Sequence, residues 1–511
     1  MTDILFGQSY YLRFDPKLYD AMQPYPPLGT LFAAALMREA GFEVAVFDAM
    51  LAQSESEWES ALERYKPRFA VLFEDNFNYL SKMCLLNMRE AAFRMSQMAK
   101  VRGIPVIFCG ADASDHYAAY LAHGADYVII GEGEQTLTEL MDYLNGKSNL
   151  DLRSINGLAF NNGLAFNDEN NEIVLTNPRQ ILKQLDELPF PAWDLVDVEK
   201  YRHVWMERHG YYSVNMVTTR GCPYSCNWCA KPIWGQRYNV RSPENVITEL
   251  KWLQEHVKPD HIWFADDIFG LKPGWVQRFA DLVEENDIHI PFKSLSRADL
   301  LLVDDTIEAL KRAGADIIWM GAESGSQKIL DAMDKGTQVE QIYTSARKLK
   351  QIGIRVAFFL QFGYPGETRD DIEKTMQMVR DLLPDDIGIS VSYPLPGTKF
   401  YQNVKNDLVT TNWQDSADLA MLYSGPYPTP FYRHLHTVVH KDYRSRRTWE
   451  RLKTGKLKPW NKSDLRHVAA MIYHRLTLGT ATAKLDELAK LPHRPTQITI
   501  PPVEQSVSQG T

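Results

Sequence analysis

Three cysteines, Cys222, Cys226 and Cys229, fall within residues 217–238 (VTTRGCPYSCNWCAKPIWGQRY), with three and then two residues between them. Spacings this short bring sulfurs together without help from distant parts of the fold, and thiolates suit zinc and iron–sulfur clusters. A cubane cluster normally takes four ligands, so three cysteines leave one iron open to chelate a further molecule. A structural zinc site is the competing reading. It calls for a fourth Cys or His, and the nearest histidines are His203, His209 and His261.

The totals fit a metal-binding role. At 511 residues the chain is too long for one ordinary domain, and 45% hydrophobic with 24% charged residues describes a globular protein. No apolar run reaches the about 18 residues a membrane span needs. The N-terminus, MTDILFGQSYYLRF, lacks the basic and apolar regions of a secretory signal, so a cytoplasmic location with reduced thiols is expected. Five cysteines, three of them clustered, then argue for metal rather than disulfides, with Cys84 and Cys109 as core packing. A net charge of −9 makes nucleic acid an unattractive partner.

Two sets of elements must position the cysteines. In residues 1–150, five apolar runs near 4, 44, 69, 105 and 126 alternate with helical patterns, which predicts a doubly wound parallel sheet with ligands at its carboxyl strand ends. Gly110, Gly131 and Gly133 lie at those ends, where glycine admits a bulky ligand close to the backbone. Residues 151–215 read as a connector, with a hairpin around a Gly/Asn-rich centre and a strap containing Pro189 and Pro191. Across 216–400 the strand–helix rhythm returns in six units, a partial TIM-type barrel with its chemistry at the carboxyl strand ends. Ser242-Pro243 after the cysteine loop fits a helix N-cap followed by its first residue.

The C-x3-C-x2-C spacing, Trp228 before the last cysteine and the preceding Arg220-Gly221 resemble the cluster loop of the radical S-adenosylmethionine enzymes. The resemblance implies that Cys222, Cys226 and Cys229 ligate a [4Fe–4S] cluster. The open iron would hold S-adenosylmethionine and reduce it to a 5′-deoxyadenosyl radical, with a reducing partner such as flavodoxin or ferredoxin. Strand-end motifs then become cofactor-binding candidates: Asp266 and Asp267 for the ammonium or ribose, Arg297 for the carboxylate, Glu323 for a ribose diol or the ammonium, and the backbone at Gly363 and Gly366 for an adenine edge. Each carboxylate could equally be a helix cap or a satisfied barrel residue.

The PYPPLG stretch (24–29), Cys109-Gly110-Ala111 and GADYVIIGEGE resemble the cobalamin-binding domain that precedes many radical SAM domains. The D-x-H-x-x-G run is missing, so cobalt would lack a histidine below it unless His116 reached it. A flavodoxin-like domain without a ligand is the plainer reading of the same stretch. Together the motifs resemble the anaerobic magnesium-protoporphyrin ester cyclase group. That implies an enzyme methylating, cyclising or rearranging an unactivated carbon of a small molecule. The alternatives are a radical SAM enzyme with an empty N-terminal domain and a non-catalytic iron–sulfur carrier or sensor.

Beyond 400 the strand rhythm gives way to helical patterns rich in basic and aromatic residues. Arg444, Arg446 and Arg447 could meet an anion or form a solvated face. HVAAMIYHRL (467–476) reads as a short core or lid helix, and the tail PPVEQSVSQGT as disordered.

Overall fold

The computed structural model describes residues 2–78, 85–148, 151–162, 172–231, 233–410, 412–416, 419–457 and 462–493. Cys84, the hairpin centre at 163–171 and the tail from 494 lie outside the described residues.

The five apolar runs of the N-terminal part are strands β1 (Ile4–Gly7), β2 (Val44–Val46), β3 (Phe69–Phe73), β4 (Val106–Cys109) and β5 (Tyr127–Ile129), all parallel, in the order β2-β1-β3-β4-β5. Continuous apolar sequence suits them because both faces are covered. Leu5, Ala70 and Leu72 pack with Trp58 and Met95 on one side, and Ile4, Phe6, Val71 and Phe73 with Met37, Leu137 and Leu140 on the other. The strand order reverses between β1 and β3, which opens a crevice at their carboxyl ends. The connector's hairpin strands, β6 (Leu158–Asn161) and β7 (Ile173–Leu175), extend this sheet, β6 antiparallel to β5 and β7 antiparallel to β6. The connector also holds a helix that the sequence reading did not anticipate, Val198–His209.

The second sheet has six parallel strands in sequence order: β8 (Ser213–Met216), β11 (His261–Phe264), β12 (Phe292–Ser296), β13 (Ala315–Glu323), β14 (Arg355–Phe362) and β15 (Asp386–Val391). Each is linked to the next through helices, giving the expected six βα units in a half-barrel whose two edges do not pair. Between β8 and β11 lies a two-stranded antiparallel clasp, β9 (Thr219–Arg220) with β10 (Asn239–Val240). The helix after it is capped as its sequence predicts: the Ser242 hydroxyl accepts the Asn245 N–H at 3.1 Å, with Pro243 in the first turn.

The C-terminal part is helical. Thr429–Lys453 packs its Phe431, Tyr432 and Leu435 into the barrel's core, and Lys462–Leu488 lies along it. The stretch expected as a short helix is thus part of a much longer one. Among the described residues, no helix is long and apolar enough to cross a membrane.

Candidate active site

The cysteine loop leaves the carboxyl end of β8 and is held at its root. Asp266, just past β11, accepts the N–H groups of Thr218 (2.7 Å) and Thr219 (2.9 Å) through Oδ1, and the Thr218 hydroxyl (2.5 Å) through Oδ2. Burial pushes its carboxyl up to about 6 against the pull of these donors. Asp266 therefore anchors the loop with both oxygens. Gly221 follows at φ +79°, packed so closely on the Arg237 carbonyl that no Cβ would fit, and this turn delivers Cys222 into the loop.

The tip is held as firmly. The Asn227 backbone donates to the Met333 carbonyl (3.0 Å) and accepts from Phe400 N–H (3.0 Å), while its side chain donates to the Ala332 carbonyl (2.8 Å) and accepts the Tyr364 hydroxyl (2.8 Å). The asparagine between the second and third cysteines thus locks the loop to the far side of the barrel.

Cys222, Cys226 and Cys229 are half-buried and unbridged. Burial pushes the Cys229 thiol up to about 12 and also raises Cys222, with Lys231 opposing the shift at both. Asp267, exposed at the next strand end, adds to the rise at both thiols, so it stands near them. Among the described residues, no three His, Cys, Asp or Glu side chains converge tightly enough to hold a metal ion. The donor set itself suits an iron–sulfur cluster, with three thiols on one short loop. Beside them the buried Trp228 Nε1 has no hydrogen-bond acceptor among the described residues, and cluster sulfides would supply one.

Arg297 lies 3.8 Å from Cys226 Sγ through Nη1, with its guanidinium 3.6 Å from the Tyr224 ring centroid. It forks the Asp299 carboxylate at 3.0 Å on each arm and donates to the Lys335 carbonyl (2.8 Å) and Thr337 Oγ1 (3.1 Å). The site places Arg297 beside the cysteines with its donors already engaged by the chain.

Glu323 ends β13 at φ +56°, a left-handed conformation that typically costs a non-glycine residue about 1–3 kcal/mol, next to a break in register after Gly321. Its Oε1 accepts Lys335 Nζ at 2.8 Å, and both side chains are buried. A Cβ on Gly321 would stand 2.8 Å from both of these atoms, so that glycine makes room for the pair. Burial weighs against the Lys335 charge, but Glu323 and then Cys226 outweigh it and raise its pKa. Lys335 carries no sequence signal, since it sits in the loop after the helix Gln327–Ala332, away from the strand ends.

The backbone of Gly363 is not bare. Its N–H goes to Glu367 Oε2 at 2.6 Å and its carbonyl accepts the Tyr423 hydroxyl. The Gly366 carbonyl accepts Lys328 Nζ at 2.7 Å. Both glycines have φ near +80°, so the turn geometry accounts for them. Burial pushes the Glu367 carboxyl up to about 8.

On the N-terminal side, a Cβ on Gly110 would run into the Glu74 side chain, and one on Gly133 into Cys109 and Phe73. These glycines accommodate the chain's own packing. Gly131 donates its N–H to Ser114 Oγ at 2.9 Å. His116 stands with Nε2 3.6 Å from the Asp112 carboxylate. At the crevice, Glu74 accepts the Ser9 N–H (3.0 Å) and hydroxyl (2.6 Å), and burial lifts its carboxyl to about 7. The neighbouring Asn76 Oδ1 is buried without a donor among the described residues, an acceptor suited to the amide-rich rim of a corrin.

The two halves meet at Arg220. One arm pairs with Glu132 at 2.5 Å and the other with Glu134 at 2.7 Å, and all three side chains are buried. Both carboxylates come from the GEGE run after β5. The sequence reading singled out the glycines of that run, whereas its glutamates reach the cysteine loop.

Residues 216–379 match the radical SAM superfamily, and residues 20–141 match the B12 binding domain. The chain pairs a B12-binding domain with a radical SAM domain. It is 30% identical over 292 residues to an uncharacterized methyltransferase of Pyrococcus horikoshii, covering 57% of this chain and 60% of that protein. Anaerobic magnesium-protoporphyrin IX monomethyl ester cyclases are also homologous. That of Rubrivivax gelatinosus is 26% identical, covering 55% of this chain and 49% of the cyclase, and that of Synechocystis is 25% identical, covering 74% and 72%. The chain thus spans 60% and 49% of the lengths of the first two relatives. The same fold occurs in the cobalamin-dependent S-adenosylmethionine radical enzyme OxsB (TM-score 0.66, 15% identity, covering 95% of this chain and 80% of that one). It occurs again in the methyltransferase TsrM of Kitasatospora setae (TM-score 0.62, 18% identity, 78% and 74%). Arg220 thus joins the two matched regions directly.

Proposed function

We propose that the chain is a radical SAM enzyme using a [4Fe–4S] cluster, S-adenosylmethionine and cobalamin to methylate, cyclise or rearrange an unactivated carbon of a small molecule. The observation that carries this reading is the joint at Arg220, which brings the cysteine loop against the strand end of the B12-binding domain. The names of the relatives, methyltransferase and cyclase, agree with it.

When bound, the cluster with S-adenosylmethionine supplies a carbon radical at the barrel mouth, and cobalamin supplies a methyl carrier or a second redox centre. The protein's part is positioning. Cys222, Cys226 and Cys229 hold the cluster, Asp266 and Asn227 fix their loop at root and tip, and Glu323 with Lys335 offers a paired charge beside Cys226 for the polar groups of the cofactor. Inside the half-barrel, the rings of Trp319 and Phe359 lie tilted against each other at 4.7 Å beside Gly388 and offer the substrate an apolar wall. In this reading residues 1–150 carry cobalamin, 151–215 connect, 216–400 carry the radical chemistry and 401–511 cover it, in a cytoplasmic protein served by a small reducing partner.

Anaerobic reconstitution with iron and sulfide tests the proposal. The reduced protein is expected to turn S-adenosylmethionine into 5′-deoxyadenosine and to retain cobalamin through gel filtration. A reconstituted, reduced protein that leaves S-adenosylmethionine intact would sink it, and cobalt lost on filtration would remove cobalamin from it.

A further inference from the structure

The helix Lys462–Leu488 is apolar on two opposite faces. One carries the buried Met471, Ala481 and Leu485 and packs along Thr429–Lys453, where His434 bonds the Ala481 carbonyl and Lys441 bonds Thr477. The other is a stripe of Leu465, Ala469, Ile472, Leu476, Gly479 and Ala483. Every member of it is exposed, Leu465 at 54%, Ile472 at 50% and Leu476 at 78%. A face of that composition directly opposite a buried one is what a helix enclosed on both sides shows.

The stripe repeats alternately every four and three residues, which is the seam of paired helices and is narrower than the band a helix lays on a domain. Gly479 gives a second, independent indication. Among the described residues, nothing outside the helix's own backbone lies within 4 Å of where its Cβ would be, so no contact among them demands glycine there. A mid-helix glycine is destabilising relative to alanine, and what it gives is a flat floor on which another backbone can lie close.

The charges select the occupant. The stripe itself is uncharged, and the residues beside it carry both signs, Arg466, Arg475 and Lys484 with Asp464 and Asp486. An anionic membrane favours a broad apolar face with uniformly basic flanks. A copy of the same helix meets a seam of its own width and flanks that do not repel as a block. We propose that this stripe packs against the same stripe of a second copy of the chain, so that two C-terminal helix pairs form a symmetric four-helix interface.

Sedimentation equilibrium of the full chain across a wide concentration range tests this. The expected result is a reversible dimer whose dissociation constant rises at least tenfold in Ile472→Glu and in Gly479→Leu. Val409→Glu, at a residue 68% exposed but outside this helix, should leave it unchanged. Leu476→Glu, at the most exposed position, is the variant least able to harm folding, and equal thermal melting of its monomer shows that the interface alone was lost. A wild-type chain that stays monomeric, or a dimer indifferent to all three substitutions in the stripe, overturns the proposal. So does binding to phosphatidylserine vesicles that Ile472→Glu abolishes while the oligomeric state stays the same.

Discussion

Arg220 Nη1 lies 2.5 Å from Glu132 Oε1, a buried ion pair between the residue two before the first cysteine and the last strand end of the B12-binding domain's parallel sheet. Glu134 makes the pair a triad with an excess negative charge, and burial followed by Glu134 pushes the Glu132 carboxyl up. Removing one member of a buried pair leaves the other uncompensated, which typically costs about 3–5 kcal/mol. Arg220→Met is therefore expected to lose that much in denaturant unfolding. Adding Glu132→Gln and Glu134→Gln should restore a large part of it, and a triple variant no more stable than Arg220→Met would show that the cost was packing rather than charge.

Asp266 faces the loop root with no spare oxygen. Asp266→Ala leaves the buried N–H groups of Thr218 and Thr219 without their acceptor, and an unmet buried hydrogen bond of this kind typically costs about 1–3 kcal/mol. The expected outcome is a lower melting temperature, even in protein kept free of iron. If the iron-free melting point is unchanged and only S-adenosylmethionine binding weakens, Asp266 belongs to the cofactor.

The Glu323–Lys335 pair calls for a double-mutant cycle. Lys335→Met strands a buried carboxylate and should destabilise more than the double variant Lys335→Met/Glu323→Gln. In reconstituted protein, Glu323→Gln should weaken S-adenosylmethionine binding by roughly ten- to a hundredfold, the loss of one charge-assisted hydrogen bond, with the cluster spectrum unchanged. Normal binding with failed turnover would move Glu323 into proton transfer.

Glu367 gives a pH dependence of definite sign. Its folded pKa is raised from 4.5 to about 8 by burial. Above pH 4.5 the unfolded chain releases a proton that the folded chain keeps. Stability from this residue is thus fully present below that pH and is lost as pH climbs to about 8, by at most roughly 1.4 kcal/mol per unit. Glu367→Gln should flatten the stability profile between these limits, measured by urea unfolding. A profile as steep as the wild type would assign the slope to other groups.

The pattern of apolar runs was enough to read both sheets, because parallel strands covered on both faces leave an almost uninterrupted apolar trace. The cysteines were legible for a similar reason, their spacing being local. What stayed hidden depends on distance along the chain. Arg220 looked like part of a motif, and nothing in GEGE tells that Glu132 and Glu134 will face it until the two domains close. Lys335 has no signature, since only the fold brings it to Glu323. Conversely, the glycines at 110, 133 and 363 were read as room for a ligand, while Glu74, Cys109 with Phe73, and Glu367 with Tyr423 already use that space or those backbone groups. A glycine in sequence shows that something comes close, without saying what.

The β9–β10 clasp bears on the order of assembly. By pairing Thr219–Arg220 with Asn239–Val240, it closes the cysteine loop into a ring whose two ends are joined by backbone alone. The entropy of closing that ring is then met by backbone pairing and by Asp266 rather than by metal–sulfur bonds. The barrel can complete its folding with the thiols still free. Iron-free protein is therefore expected to stay folded and to be able to take up a cluster afterwards.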